Sequence, residues 1–295
     1  MGKNVGFIYA LLAYLWWGII PIFWKQIDHI PSMEIVAHRI IWGCVIVLLI
    51  IFFMRQWSDF IRVFRDRTTL RRLFLASVLV SVNWAIFIWA VNNDRIVETS
   101  LGYFINPLVT VMFGMMVFKE SLRSWQIVAL VVAALGVMVM IVGTGGVPVV
   151  SLSLAVTFAC YSVIKKQVNL PATHGLAIET LMMIVPTLIA VVYYSYQGLG
   201  NFSATEEPIN SLMLVLGGLF TLVPLLLFAA AAKRVSFTAL GMTQYIGPTC
   251  QLIIAVAVYK EPFGTVKLIA FGLIWLALLV YSMDQILHRR DARAV

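Results

Sequence analysis

Charged residues are scarce in this 295-residue chain. Only 12% are Asp, Glu, Lys or Arg, with 13 acidic and 21 basic side chains, whereas 62% are apolar. A typical soluble domain has about 25% charged residues, so this composition excludes an ordinary soluble protein. The formal net charge of +8 does not indicate nucleic-acid binding, because most of the chain is too apolar to present a basic stripe.

Cysteine is also rare, and its placement excludes two kinds of site. Cys44, Cys160 and Cys250 lie in separate apolar segments. An odd number without close spacing argues against a disulfide framework and against a zinc site. No Walker lysine follows the glycine-rich segment 143–146, and the sequence has no H-E-x-x-H motif or nucleophile elbow. We therefore predict no cofactor, no bound metal and no ATP hydrolysis.

Long apolar segments are what the chain has in abundance. Several reach the roughly 18–20 residues that cross a bilayer as a helix, and backbone groups in lipid must be satisfied within each helix. We predict an all-α integral membrane protein of ten transmembrane helices without a separate soluble domain. The predicted spans are 5–24, 34–54, 73–92, 99–118, 125–142, 148–165, 177–195, 211–231, 237–258 and 266–283.

The sequence repeats itself at an offset of 141 residues (248 minus 107). Tyr103–Pro107 precedes Lys119-Glu120, and Gln244–Pro248 precedes Lys260-Glu261 at the same distance. We predict two five-helix repeats, residues 1–143 and 144–295. An odd number of spans per repeat makes the second repeat inverted relative to the first, which is common in secondary transporters.

The distribution of basic residues predicts the orientation in the membrane. If the N-terminus is cytoplasmic, five of the 21 Lys and Arg residues fall outside the cytoplasmic side, which leaves 21 minus 5, or sixteen, on it. By the positive-inside rule, both termini are predicted to be cytoplasmic. The five are Lys25, Arg39, Arg95, Lys260 and Lys267.

Asn83 is the first candidate for a substrate contact, because it lies near the middle of the third span. A carboxamide in hydrocarbon is costly unless it is hydrogen-bonded, so the side chain is expected to face the bundle interior. Two interpretations stay open. One is a substrate contact at the membrane midplane, and the other is an interhelical hydrogen bond that only stabilises the bundle.

Two prolines occupy matched positions in the repeats, Pro107 in the fourth span and Pro248 in the ninth. Proline removes a backbone donor, so a kink or local unwinding is predicted at each, as a hinge beside a cavity or as a packing kink without a ligand. Side chains within one turn are candidate substrate contacts: Tyr103, Asn106, Gln244 and Tyr245. Trp17 and Trp84 are predicted too deep for the interface that tryptophan favours. They form either an aromatic wall for the substrate or ordinary helix packing.

Ionisable side chains inside the spans suggest gates. His38 is expected near the outer end of the second span and Glu179 near the inner end of the seventh. Each either guards one mouth of the pathway, with proton exchange, or extends to the membrane interface. Arg39 is expected to reach lipid headgroups or to pair with Glu34 or Glu98, and an external carboxylate partner is equally consistent.

The Lys-Glu pairs of the repeat end equivalent helices. In Lys119-Glu120 and Lys260-Glu261, the lysine suits the negative end of the preceding helix and the glutamate suits the positive start of the next. We interpret both pairs as turn chemistry.

Five segments carry a family resemblance: His38-Arg39, Phe87–Asn93, Glu98–Leu108, Ile178–Thr180 and Gln244–Thr249. With nearly the whole chain, they resemble the RarD family of bacterial inner-membrane proteins, in the EamA branch of the drug/metabolite transporter superfamily. The resemblance implies ten helices in two inverted five-helix repeats and alternating access. It also implies a central cavity formed mainly by helices 1, 3, 4 and 6 with their repeat mates, and peripheral helices 5 and 10.

We therefore predict a secondary transporter, not an enzyme, that exports a small amphipathic metabolite or an amino acid across the bacterial inner membrane. Its partners are the small-molecule substrate and the lipid bilayer, not nucleic acid. One alternative is a membrane-embedded enzyme acting on a lipid-linked substrate, which needs an acid and a base at one depth. Another is a non-transporting membrane sensor, which predicts a regulatory tail or soluble module.

Overall fold

All regular structure in the described part of the chain is helical, which confirms the all-α prediction. The computed structural model describes residues 2–119, 122–203, 208–232, 234 and 243–291. The helices are α1 Gly2–Lys25, α2 Ser32–Phe53, α3 Trp57–Val63, α4 Arg67–Asn92, α5 Ile96–Phe118, α6 Ser124–Thr144, α7 Val149–Lys166, α8 Ala172–Met182, α9 Ile184–Tyr196, α10 Pro208–Ala232, α11 Ile246–Ile253 with a π-helical continuation Ile254–Val258, and α12 Thr265–Asp291.

Fewer spans than ten are found among these residues. Eight helices are long and apolar enough to cross a membrane, namely α1, α2, α4, α5, α6, α7, α10 and α12. The predicted seventh span is divided into α8 and α9, which meet at a bend of 47° and make a ninth span if the pair crosses as one. Pro186 explains the break, because it has no N–H to donate to the Met182 carbonyl and its ring crowds that carbonyl.

The predicted ninth span is represented only by the short apolar helix Ile246–Val258. Residues 237–242 of that span lie outside the described ranges, as do Lys233 and Glu120. Ten helices therefore stay a prediction.

The connection predicted at residues 55–72 is itself largely helical. It contains α3, and α4 begins at Arg67 rather than at residue 73. Asp66 explains the early start, since its carboxylate accepts hydrogen bonds from the backbone N–H groups of Thr68 and Thr69 at 3.0 and 3.1 Å. The Thr69 hydrogen bonds hold the pKa of the Asp66 carboxyl below its usual range. The cap therefore contributes stability above the ordinary carboxyl pKa, and this contribution is lost as the pH falls through the depressed value.

Polar contacts gather at one end of the bundle, which we call the Lys25 end. The Lys25 ammonium lies 2.6 Å from the Asp94 carboxylate, which joins the end of α1 to the segment between α4 and α5. The Glu34 carboxylate accepts from the backbone N–H of Asn201 at 2.7 Å. The Glu98 carbonyl accepts from the Ser151 hydroxyl at 2.7 Å.

The opposite end, which we call the Arg72 end, has its own polar contacts. Arg72 donates to the Gln167 carbonyl at 3.0 Å, and Arg123 lies 2.6 Å from the Asp284 carboxylate. Helix α1 runs toward the Lys25 end, and α12 runs away from it, so the first and last described residues lie at the Arg72 end. This placement is the one that an even number of crossings requires.

The helices of the two sequence halves interleave. Helix α7 packs between α4 and α5, whereas α1 packs against α10 and α11, and α2 packs against α10. Helices α6 and α12 pack mainly on each other, at the margin of the bundle. The central core includes three large and fully buried rings, Trp24, Phe104 and Phe271.

Glu261 caps a different helix from the one expected. Its carboxylate accepts hydrogen bonds from the first backbone N–H groups of α5, those of Ile96 at 2.6 Å and Val97 at 2.8 Å. The prediction that it serves the next helix in the chain, α12, is wrong. The electrostatic reason holds, since a carboxylate suits a helix N-terminus, but the packing of the halves brings the N-terminus of α5 to it.

Lys119 and Lys260, which are matched in the repeat, both adopt left-handed backbone conformations, with φ of 54° and 57°. An L residue in this region costs about 1–2 kcal/mol that glycine avoids. We expect Lys260→Gly to be about 1 kcal/mol more stable than Lys260→Ala, which loses the same side chain but keeps the strain. The comparison is made by equilibrium unfolding of both variants in bicelles. Equal stability would show that the left-handed conformation is not strained.

Candidate functional site

Arg39 is buried among aromatic side chains. Its exposed fraction is 7%, and its guanidinium carbon lies 4.2 Å from the Trp84 ring centre and 5.5 Å from that of Trp24. The Tyr103 phenol is close enough for an electrostatic interaction with the guanidinium. We call these four side chains, Arg39, Trp24, Trp84 and Tyr103, the Arg39 cluster. A cation over indole faces is attracted by the ring quadrupole.

The predicted partners of Arg39 are engaged elsewhere. The Glu34 carboxylate accepts from the Asn201 side chain at 3.0 Å as well as from its backbone. Glu98 pairs with Arg95 at 2.7 Å. The prediction that Arg39 pairs with Glu34 or Glu98 or reaches the headgroups is therefore wrong, because the indole rings enclose the guanidinium within the bundle.

Three of the four residues of the Arg39 cluster lie at one depth in the bundle, and the fourth, Trp24, lies next to Lys25 at the end of α1. At 1.5 Å per residue, Arg39 lies about 10 Å along α2 from its start, and Trp84 lies about 12 Å from the end of α4. Tyr103 lies about 10 Å from the start of α5. All three distances are measured from the Lys25 end, so three helices contribute to the same depth.

Asn83 faces the bundle interior with an exposed fraction of 1%. Its Nδ2 donates to the Leu154 carbonyl at 3.0 Å and to the Thr157 hydroxyl at 2.9 Å, which joins α4 to α7 across the two halves. Its Oδ1 has no hydrogen-bond partner among the described residues. The interhelical bond is therefore present, and a substrate contact through Oδ1 stays a prediction.

The candidate residues on α5 face neighbouring helices. The Tyr103 ring packs against Phe87 at 5.8 Å and Phe158 at 6.4 Å between ring centres. The Asn106 side-chain oxygen accepts from the Thr110 hydroxyl at 3.4 Å. Helix α5 continues without interruption through Pro107, whose role as a hinge stays a prediction.

The matched segment of the second half begins with a turn. Gln244 and Tyr245 form a turn before α11 begins, and the Tyr245 ring lies parallel to Phe104 at 6.5 Å. The Pro248 carbonyl accepts from the Ser100 hydroxyl at 2.7 Å. Residues 235–242, which precede this turn, lie outside the described ranges, so a kink or unwinding at Pro248 stays a prediction, as do substrate binding and hinge motion.

Trp17 lies on α1 close to α11. Its carbonyl accepts from the Gln251 side chain at 3.0 Å, and its ring packs with Tyr14 and Phe228. These contacts place Trp17 between α10 and α11. An aromatic wall that includes both tryptophans stays a prediction.

His38 and Glu179 lie toward opposite ends of the bundle. His38 is about 9 Å from the start of α2 at the Lys25 end, and Glu179 is about 10 Å from the start of α8 at the Arg72 end. The buried His38 ring stacks on Phe202 at 4.7 Å, and neither ring nitrogen has a hydrogen-bond partner in the described ranges. A gating or proton-exchange role for either residue stays a prediction.

Glu179 is held in a polar group that sequence reasoning did not single out. Its carboxylate lies 2.6 Å from the Lys165 ammonium and accepts from the Tyr161 hydroxyl at 3.2 Å. Burial and pairing therefore replace the expected extension to the interface. Tyr161 and Lys165 are four residues apart on α7 and share one helix face, a spacing that could have indicated a partner for an acidic residue.

Trp24 is the other residue that the sequence interpretation missed. It is 1% exposed, although a tryptophan next to a lysine at a span end is typical of a membrane-interface anchor. The signal for its burial is absent from the local sequence, because the ring is enclosed by contacts from other helices such as Gly217 of α10.

Known proteins provide independent comparisons. The model of the EamA-like transporter family matches residues 4–142 and again residues 147–283. The chain is 41% identical to the "Uncharacterized transporter YojE" of Bacillus subtilis (strain 168), covering 98% of this chain and 97% of that protein. It is 37% identical to "Protein RarD" of Escherichia coli (strain K12), covering 97% and 96%.

Two further comparisons are more distant. "Chloramphenicol-sensitive protein RarD" of Pseudomonas aeruginosa (strain PAO1) is 28% identical, with 98% of this chain and 97% of that protein covered. A crystal structure of a protein with 18% sequence identity has a TM-score of 0.59 and covers 98% of this chain and 99% of its own. At that identity the likeness shows the fold alone.

Proposed function

The chain belongs to the RarD family within the EamA-like transporters of the drug/metabolite superfamily, and we propose that it exports a small amphipathic metabolite or an amino acid by alternating access. The observation that carries this proposal is the polar and aromatic layer where the halves interleave. Arg39, Trp84 and Tyr103 lie there on three helices, and Asn83 joins α4 to α7 beside them. Polar groups are costly inside a membrane bundle and mark substrate pathways.

Two inverted halves rocking about this layer would open it to each side in turn. Tyr103, Asn106, Gln244 and Tyr245 would supply substrate contacts, together with Asn83, Trp84 and Trp17. Pro107 and Pro248 would act as hinges. His38 and Glu179 would lie at the two mouths, one at each end of the bundle.

The orientation follows from charge. We place the Arg72 end in the cytoplasm of a bacterial cell, because the arginines of 55–72 lie beside it. Both chain ends would then be cytoplasmic, and the protein itself would lie in the inner membrane. One relative is named "Chloramphenicol-sensitive protein RarD", so chloramphenicol is one of the first compounds to test, together with amino acids.

Flux through purified protein in liposomes tests the proposal. We expect substrate-dependent flux for at least one compound in a panel of amino acids, amphenicols and other small metabolites. Tyr103→Ala should lower that flux about tenfold, which corresponds to the loss of about 1.4 kcal/mol of binding. The matched control is Tyr196→Ala, which removes the same side chain from a position that is 88% exposed and should change flux less than twofold.

The result is interpreted per folded molecule, with folding checked by gel filtration and by the melting temperature. No flux for any compound through well-folded wild-type protein would refute transport. Equal loss of flux in Tyr103→Ala and Tyr196→Ala would leave transport in place but remove Tyr103 from the site.

A further inference from the structure

Arg39 lacks a counter-charge in the part of the chain that the structure describes. The buried carboxylates of those ranges all have other partners: Glu34 with Asn201, Glu179 with Lys165, Glu261 with the start of α5, and Asp284 with Arg123. A cation taken out of water without a paired anion is costly to the fold. Among the described residues, the positive charge of Arg39 is therefore not balanced by a carboxylate at this layer.

Two buried donors in the Arg39 cluster also lack acceptors. Neither the Arg39 Nε nor the Trp24 Nε1 has a hydrogen-bond partner among the described residues, and Trp24 is almost fully buried. Buried donors are nearly always satisfied in folded proteins. A guanidinium and an indole N–H that both seek an acceptor indicate a ligand that supplies oxygen lone pairs and negative charge.

A position on the same face of α2 has no described atom beside it. Gly43 lies one turn beyond Arg39, at a spacing of four residues that puts both on one face. Gly43 is buried, yet a Cβ added to it would meet no described atom within 4 Å. Protein interiors are otherwise closely packed, so among the described residues this position is adjacent to unfilled space.

We propose that the Arg39 cluster binds the carboxylate of the transported solute, and that the substrates are therefore small organic carboxylates with an apolar or aromatic body. The guanidinium would take the carboxylate oxygens in its planar fork, with the Trp24 N–H as a further donor. The apolar body would lie toward Gly43 and the Tyr103 ring. This inference rests on the proposed function, because it names the substrate class of that site.

A matched pair of probes isolates the charge. Phenylacetate and phenylacetamide have the same ring and nearly the same size, but only phenylacetate is an anion at pH 7. We expect wild-type protein in phosphatidylcholine nanodiscs to bind phenylacetate at least about tenfold more tightly than phenylacetamide. Binding is read by tryptophan emission, since Trp24 and Trp84 lie at the site, and by the rise in melting temperature.

Arg39→Gln should abolish the preference for the anion. The control is Lys25→Gln, which removes a cation from the same end of the bundle outside the Arg39 cluster and should keep the preference. Equal affinity of wild-type protein for the two probes would overturn the proposal. A preference that persists in a folded Arg39→Gln protein would overturn it as well.

A second variant covers the case in which Arg39→Gln does not fold. Gly43→Leu keeps the guanidinium and fills the adjacent space, so it should weaken binding of both probes by about tenfold or more. Gly272→Leu is its control, because an added Cβ there also meets no described atom but the residue is exposed on α12. Unchanged affinity in Gly43→Leu would show that the ligand does not lie on this face.

A lipid headgroup is another source of an oxyanion, and it is distinguished by the bilayer. The affinity for phenylacetate should be the same in phosphatidylglycerol and phosphatidylcholine nanodiscs. Weaker binding of phenylacetate in phosphatidylglycerol than in phosphatidylcholine nanodiscs, with no such difference in Arg39→Gln, would show that a lipid headgroup occupies the site. That result would refute the proposal that the site binds the transported solute.

Failure of this inference is separable from failure of the proposed function. Flux of neutral or cationic compounds that is unaffected by Arg39→Gln would refute the carboxylate site and leave transport standing. Arg39-dependent binding of phenylacetate without flux of any compound would leave the site standing and refute transport.

Discussion

Replacing Lys165 with methionine is expected to lower the free energy of unfolding by about 3–5 kcal/mol, because it leaves a buried carboxylate without its cation. The Glu179 side chain is 1% exposed and lies 2.6 Å from the Lys165 ammonium. The Tyr161 hydroxyl alone, at 3.2 Å, does not supply the missing charge. Methionine keeps the length and apolar surface of the lysine stem, so the variant changes the charge with little loss of packing.

The measurement is equilibrium unfolding in bicelles, for example by steric trapping, with a double-mutant cycle. Lys165→Met combined with Glu179→Leu removes both charges and should recover most of the loss, since a buried pair replaced by apolar groups is often neutral. Arg71→Gln is the control, because Arg71 is an exposed cation near the start of α4, and its change should stay within about 0.5 kcal/mol. A double variant as unstable as the single one would show that the pairing is not the source of the effect.

Apolar length predicted the long helices well. The second predicted span, 34–54, corresponds to Ser32–Phe53, and the eighth, 211–231, corresponds to Pro208–Ala232. These bounds follow from composition because a helix in lipid satisfies its own backbone. The break in the predicted span 177–195 was missed because the span was predicted from its continuous apolar length. That criterion does not register the local effect of the single proline Pro186.

Contacts between distant helices were harder to predict. Asn83 was expected to face the interior, and it does. Its hydrogen-bond partner lies on α7, and no residue near Asn83 in the sequence indicates that helix. Glu261 was expected to cap the N-terminus of a helix, and it does. The helix is α5, however, and not α12 as expected. Local electrostatics predicts what a side chain needs, whereas packing decides which helix supplies it.

Arg39 shows the same limit at the candidate site. Carboxylates close to the expected outer membrane surface made Glu34 and Glu98 reasonable partners from the sequence. Both are instead engaged by nearer groups, Asn201 and Arg95, and the arginine is enclosed by Trp84 and Trp24. A guanidinium without a carboxylate partner in the described ranges is therefore a feature that emerges only when α1, α2 and α4 have been packed together.

Gly218→Ala is expected to destabilise the protein by about 1–3 kcal/mol, because it forces apart two helices from different halves. A Cβ at this position of α10 would lie 2.6 Å from the Cβ of Trp42 and 2.7 Å from the backbone nitrogen of Gly43 on α2. Backbone atoms cannot move aside as a flexible side chain can, so the helices must separate. Since α2 also carries Arg39, the same change should disturb the Arg39 cluster.

Gly272→Ala is the matched control, and its expected change in stability is zero or favourable, not unfavourable. Gly272 lies within α12, where an added Cβ meets no described atom within 4 Å, so alanine should be neutral or gain up to about 1 kcal/mol of helix propensity. Unfolding of both variants in bicelles gives the difference, and phenylacetate binding reports on the Arg39 cluster. If Gly218→Ala were as stable as Gly272→Ala, the close approach of α2 and α10 would not exist in the membrane. The two halves would then pack through a different contact, and the position of Arg39 relative to the second half would differ from the one described.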